Sequence, residues 1–266
     1  MKAAVSTAMT GRSTKLAMRS TIRITRRAFF AEHAAGLGAA VLTASAVSEA
    51  QPLLRVLLIT GGHGFEREPF FAMWKSFDDF EVKPVEHPNA HALFKPEAAR
   101  NYDVIALYDM WQPITDEAKQ DFVNLLKAGK GLVALHHSLV GYQEWDEYAK
   151  LIGGKYHLKP RGDKPASTFK HDVKFTVRLA DANHPVTRGL KDFEILDETY
   201  SNVAVNANVK PLLTTDEPTS TKTIAWTHTY GKSKVAYLQL GHGPTAYENP
   251  NYRRLVAQAV RWAGAK

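Results

Sequence analysis

The amino-acid sequence predicts an α/β protein built on a doubly wound, mostly parallel sheet. Three observations carry this. Four apolar runs in the first half read as buried strands, amphipathic stretches of helical period separate them, and glycines or prolines punctuate their ends. A single domain over residues 51–266 is expected, because no long flexible linker divides the chain.

Residues 53–60 form the first expected strand, broken by Gly61-Gly62-His63-Gly64. A helix is expected over residues 68–77, where Phe70, Phe71, Trp74 and Phe77 share a face. Residues 81–85 are a short second strand. Pro96 opens a brief helix at a position where its missing N–H costs little. Residues 103–108 are a third strand. Thr115 caps a helix that runs to Lys127 and stops at Gly129. A fourth strand, residues 132–135, leads into His136-His137-Ser138 at an expected strand-to-helix turn. Residues 142–152 read as helical, ended by Gly153-Gly154. Residues 155–222 lose the regular alternation, and short runs at 173–179, 193–200 and 209–215 predict a β-rich insertion on the same core. A hairpin, residues 223–228 with 234–240, and a helix over residues 251–263 close the pattern.

Charge and composition narrow the function classes. Of the net charge of +7, seven basic residues against Glu32 and Glu49 place +5 in residues 1–50, which leaves +2 for the rest. No basic run resembles a phosphate-tracking stripe, so nucleic acid is excluded as a partner. The absence of cysteine excludes disulfides, thiolate metal sites and a cysteine nucleophile, and it suits an oxidising compartment.

Residues 1–50 read as an export signal. Thr25-Arg26-Arg27-Ala28-Phe29-Phe30 precedes a small, weakly apolar stretch over residues 34–47, and Ala44-Ser45-Ala46 or Ser48-Glu49-Ala50 offers a cleavage site. The paired arginines resemble a twin-arginine (Tat) signal, which predicts a periplasmic or secreted protein. The apolar stretch is too short to span a bilayer, so no membrane association is expected after cleavage. The alternative is a basic tail on a cytoplasmic protein.

Three strand ends carry histidine: His63 after the first, His136-His137 after the fourth and His242 after the last. If these strands are parallel, all three positions lie along the sheet edge where α/β proteins bind ligands. His136 rather than His137 is expected to face the cleft, the alternative being a pair that caps the strand locally. His228 ends the antiparallel hairpin partner and should be structural. Neighbours on an extended run face opposite sides, so only one of Asp197 and Glu198 can enter a cleft, and an exposed charge pair is the competing expectation. Glu198 is the expected accessory carboxylate, with His136 and His242 as catalytic partners. His63 and His137 are expected to bind substrate, and Trp226 and Tyr247 to stack on a sugar face, with a place in the core as the equal alternative for these two. His63, His136 and His242 are also the expected donors for a divalent metal such as zinc, although no H-E-x-x-H motif is present and metal-free acid–base chemistry fits equally. His157 and His184 sit beside Gly or Pro and read as turn residues.

Several ordered blocks resemble one family. Gly61-Gly62-His63, the run Gly131 to His137, Ile152-Gly153-Gly154-Lys155-Tyr156-His157, His184 to Gly189, Asp197-Glu198-Thr199-Tyr200 and Leu240 to Pro250 are similar to the ThuA-like (trehalose utilisation) family, over about residues 53–264. The resemblance implies a class I glutamine amidotransferase-like, flavodoxin-like fold with an elbow after a central strand. Amidotransferases carry cysteine there; this chain carries His136, so glutaminase chemistry does not transfer. The resemblance further implies carbohydrate catabolism: a hydrolase or lyase cleaving or isomerising disaccharides such as trehalose, or 3-keto derivatives made by partner dehydrogenases. A non-catalytic sugar-binding module or a dehydrogenase partner on the same scaffold is the alternative.

Overall fold

The computed structural model describes residues 52–265, and the export signal expected over residues 1–50 lies outside them. Strands and helices alternate through the first half: β1 (Leu54–Gly61), α1 (Arg67–Lys75), β2 (Phe80–Glu86), α2 (Pro96–Ala99), β3 (Val104–Asp109), α3 (Asp116–Ala128), β4 (Gly131–Leu135) and α4 (Asp146–Ile152). The second half contains β5 (Gly154–Lys155), β6 (Thr168–Leu179), β7 (Phe193–Ser201), β8 (Ala204–Val205), β9 (Lys210–Thr214), β10 (Thr223–Tyr230) and β11 (Ser233–Leu238), then α5 (Pro244–Glu248) and α6 (Pro250–Gly264).

Among the described residues, nine strands form one mixed sheet in the order β2-β1-β3-β4-β11-β10-β9-β6-β7. The run from β2 to β11 is parallel. From β11 onward every neighbour is antiparallel. β5 and β8 pair apart from this sheet. The β-rich stretch therefore continues the main sheet through β9, β6 and β7.

Helices cover both faces of the parallel half, which is why β3 and β4 are apolar and buried at nearly every position. Val56, Leu58, Val104, Ala106 and Val133 pack with the α1 and α6 side. Their neighbours Leu57, Ile59, Ile105, Leu107 and Leu132 pack with α3 and α4. In α6, Leu255, Val256, Ala259 and Val260 are buried at helical spacing. Burying a side chain of the Val or Leu class contributes roughly 1.5–3 kcal/mol. Thr115 caps α3 by accepting from the Ala118 amide, and Gly129 ends it in the left-handed region. No helix among the described residues is long and apolar enough to cross a membrane.

The structure departs from expectation in three places. The helix expected after His137 is a single 3₁₀ turn, His136–Val140. The helix expected from residue 142 begins at Asp146, because Tyr142 sits at φ 44° and donates its amide to the Trp111 carbonyl. β6 starts at Thr168, ahead of the expected 173, through exposed and mostly polar residues that show no alternation. A bulge interrupts its pairing with β7 between Lys170 and Val173, with Asp172 at φ 54°.

Candidate functional site

The parallel strands deliver β1, β3, β4 and β11 to one edge, and His136 stands there directly after β4. Its φ of 47° lies in the left-handed region, which a non-glycine residue holds only under constraint. The constraint comes from β11 and its exit. Tyr237 Oη donates to the His136 carbonyl at 2.9 Å, and His136 Nδ1 donates to the Gln239 carbonyl at 2.6 Å. A carbonyl only accepts, so Nδ1 carries the proton and Nε2 is turned into the site.

Around that Nε2 stand Glu198 Oε2 at 2.9 Å, Tyr200 Oη at 2.9 Å and His242 Nδ1 at 3.2 Å. Glu198 Oε2 also lies 3.3 Å from His242 Nδ1, and its Oε1 lies 3.1 Å from His171 Nδ1. One carboxylate thus meets three imidazoles. Burial pushes the Glu198 carboxyl up, but its hydrogen bonds with His136 and His242 prevail and hold it well below the ordinary carboxylate range. The same hydrogen bond raises His242. Burial, aided by the Glu198 charge, keeps the Tyr200 phenol protonated.

His242 is fixed through its backbone. The Gly241 amide donates to Asp197 Oδ2 at 2.7 Å and the His242 amide to Oδ1 at 3.0 Å. Gly241 itself is at φ 116°, and a Cβ there would collide with the Tyr252 hydroxyl, so only glycine fits. Asp197 and Glu198 do face opposite sides of β7, as alternation requires. Both are buried, however, which overturns the exposed charge-pair expectation: α5 and the β11–α5 loop cover one side and the site covers the other. Thr245 Oγ1 donates to the Leu196 carbonyl at 3.0 Å and pins β7 to α5.

Along a flat sheet, the five strand steps from β4 to β7 would cover about 24 Å. Glu198 nevertheless touches His136, so the antiparallel half curls back over the edge of the parallel half.

The donor atoms of His136, Glu198 and His242 lie within 4.8 Å of one another. Their separations of 2.9, 3.2 and 3.3 Å approach the spacing of about 3.4 Å that a tetrahedral ion with bonds near 2.1 Å imposes. Two imidazoles and a carboxylate suit zinc or another first-row divalent ion. His63, expected as the third donor, is not in this set. It stands against His137, with ring centroids 4.7 Å apart, and 6.2 Å from His242. Glu198 takes its place.

The centre opens into a cavity of about 150 Å³ lined by His63, His137, His171, Glu198 and Tyr200 among others. A larger cavity, about 690 Å³ between α1 and β2, contains none of these histidines. His137 donates through Nδ1 to the Asp109 carbonyl at 3.3 Å, which leaves its buried Nε2 without a protein partner. Burial holds both His137 and His63 below the ordinary imidazole range.

The two aromatic residues expected to stack on sugar are corrected. Trp226 is 0% exposed and donates Nε1 to the Ile152 carbonyl. Tyr247 is 1% exposed and shares a 2.6 Å hydrogen bond with Tyr108. Neither has a free face. His228 bonds the Leu151 carbonyl through Nε2 at 3.1 Å, a packing role. Tyr200 and His171 escaped the sequence reading as site residues, and Asp197 entered it as the alternative to Glu198. Tyr200 was legible, since it shares a strand face with Glu198 two positions on. Asp197 was legible only as the less favoured half of a pair. His171 gave no signal, because the bulge that aims it lies in a run too polar to read as a strand.

Comparison with known proteins is consistent with this architecture. No curated protein matches the chain. A ThuA-like protein from Parabacteroides merdae is similar in structure, with 19% identity, a TM-score of 0.67, and coverage of 81% of this chain and 91% of the other. A cytoplasmic protein from Salmonella typhimurium LT2 shares 13% identity at a TM-score of 0.57, covering 79% and 99% respectively. A β-galactosidase from Bacillus circulans shares 7% identity at a TM-score of 0.53, with 80% of this chain covered but 31% of the enzyme. At such identities these likenesses show the fold alone. The sequence profile of the ThuA family, described by trehalose utilisation, matches residues 55–263, most of the chain, and the protein therefore belongs to the ThuA family.

Proposed function

We propose that the protein is a carbohydrate-degrading enzyme that cleaves or isomerises a disaccharide, or its 3-keto derivative, at the His136–Glu198–His242 centre. The convergence of His136 Nε2, Glu198 Oε2 and His242 Nδ1 on one point at the open edge of the sheet carries the reading. The family's link to trehalose utilisation supports a role in carbohydrate metabolism.

The donor set would hold a divalent cation such as zinc, which when bound supplies Lewis-acid polarisation of a substrate oxygen. The chain's own residues perform the rest. His137 Nε2, tied by its Nδ1–H to Asp109, offers a fixed acceptor to a substrate hydroxyl. His63, exposed at the cavity wall with partial desolvation holding its imidazole below the ordinary range, takes a proton from a hydroxyl or an activated C–H. His171, half exposed and bonded to Glu198 Oε1, links the carboxylate to solvent for proton exchange.

The strand order β2-β1-β3-β4-β11 supports a flavodoxin-like reading of the parallel half. Glutaminase chemistry is not part of the proposal, since the chain has no cysteine. Export by a twin-arginine signal, which would put the enzyme on periplasmic sugars, rests on Arg26-Arg27 and the apolar stretch that follows.

The test is product analysis of the purified protein with trehalose and 3-ketotrehalose, with and without chelator. Turnover that the chelator abolishes and zinc restores is the expected result. Sugar binding without turnover of either compound would instead favour the non-catalytic module.

A further inference from the structure

The cavity at the centre is small. Its volume of about 150 Å³ is roughly half the ~300 Å³ at which pockets for drug-sized ligands begin, so it encloses one sugar ring at most. A disaccharide bound there must leave its second ring outside, and the mouth of the cavity is unusual. Among the described residues four large apolar side chains are exposed, and two of them, Leu158 at 51% and Phe169 at 59%, line this mouth. Water-exposed apolar side chains gathered at one opening are characteristic of ligand sites.

Phe169 is also fixed relative to the centre. It pairs in register with Tyr200, whose hydroxyl bonds His136, and its ring stands 5.0 Å from that of His171. Beyond Leu158 a groove of about 670 Å³ continues outward, sharing Leu158 and Met110 with the cavity and adding Lys159, Arg161 and Gln112. An apolar platform bordered by hydrogen-bond donors matches a pyranose ring, which has an apolar C–H face and a rim of hydroxyls.

We propose that Phe169 and Leu158 form a second subsite that stacks the apolar face of the outer ring of a disaccharide, with the ring's hydroxyls turned to Lys159 and Arg161 in the groove. This rests on the carbohydrate reading of the centre and adds a specificity to it: the protein distinguishes disaccharide from monosaccharide at the mouth, while the centre grips the inner ring.

Isothermal titration calorimetry of the full chain with trehalose and with glucose tests the subsite. Phe169→Ala and Leu158→Ala are the variants, Leu53→Ala is the control at an exposed apolar residue, and thermal unfolding checks that each is folded. The expected result for Phe169→Ala is a five- to tenfold weaker affinity for trehalose, in line with about 1–1.5 kcal/mol for a stacked ring, and less than a twofold change for glucose. Leu158→Ala should show the same selectivity, and Leu53→Ala none. Equal losses for both sugars, or no loss for either, would overturn the subsite while leaving the carbohydrate reading intact. Failure of the wild-type protein to bind either sugar would overturn that reading and the subsite with it.

Discussion

His136 donates through Nδ1 to Gln239 and presents Nε2 to Glu198, Tyr200 and His242, so its removal deletes a donor and releases the group that organises the others. His136→Ala and Glu198→Gln should each lower kcat on the 3-keto disaccharide by about 10²–10⁴-fold, the range for loss of a positioned acid–base or metal-binding group. Bound zinc, measured by atomic absorption after dialysis, should fall in parallel. Acidification should act in the same direction, because protons compete with the ion for the imidazoles. In the metal-free protein the signs differ by residue. The Glu198 pKa is depressed, so its contribution to stability is present above the ordinary carboxylate range and is lost as pH falls toward the depressed value. The His242 pKa is raised, so its contribution is full below the ordinary imidazole range and is lost as pH rises through the raised value. The difference in Tm between chelated wild type and Glu198→Gln should therefore be largest at mildly acidic pH and shrink in both directions.

At the scale of elements, the β11–α5 loop and the strand β7 hold each other through Asp197. Gly241→Ala places a methyl against Tyr252 at a backbone conformation that L side chains rarely adopt. It should cost about 1–3 kcal/mol in urea unfolding and should weaken zinc retention more than a surface substitution of equal cost, since His242 moves with the loop. Elements of the parallel half were legible because both the signal and the packing are local: the Thr115 cap, the Gly129 stop and the buried face of α6 each follow from residues within a few positions of one another. The start of β6 and the turn at Tyr142 were not. Long-range pairing and a single backbone amide bond decide them, and neither leaves a periodicity.

Across the whole molecule, the histidine-bearing strand ends were legible because parallel strands share an exit edge, and His136 and His242 do meet there. That Glu198 reaches the same point depends on the curl of the antiparallel half, and Trp226 and Tyr247 are sealed by long-range packing on Tyr237 and on Phe70 and Tyr108, none of which a single stretch of sequence encodes. The proposed export signal yields a separate prediction. Arg26→Lys together with Arg27→Lys should shift the protein from the periplasmic to the cytoplasmic fraction on immunoblots, and an unchanged distribution would remove the export reading.

The curl also has a kinetic side. The contacts that assemble the centre all span long stretches of chain: His136 meets Tyr200 of β7 across 64 residues and His242 beyond β11 across 106. Loop closure over such separations is slow to be rewarded, so the proposed ion-binding centre should be among the last features of the chain to mature. Zinc would then load only onto finished molecules, and metal occupancy during refolding would time the final closure of the site rather than the collapse of the core.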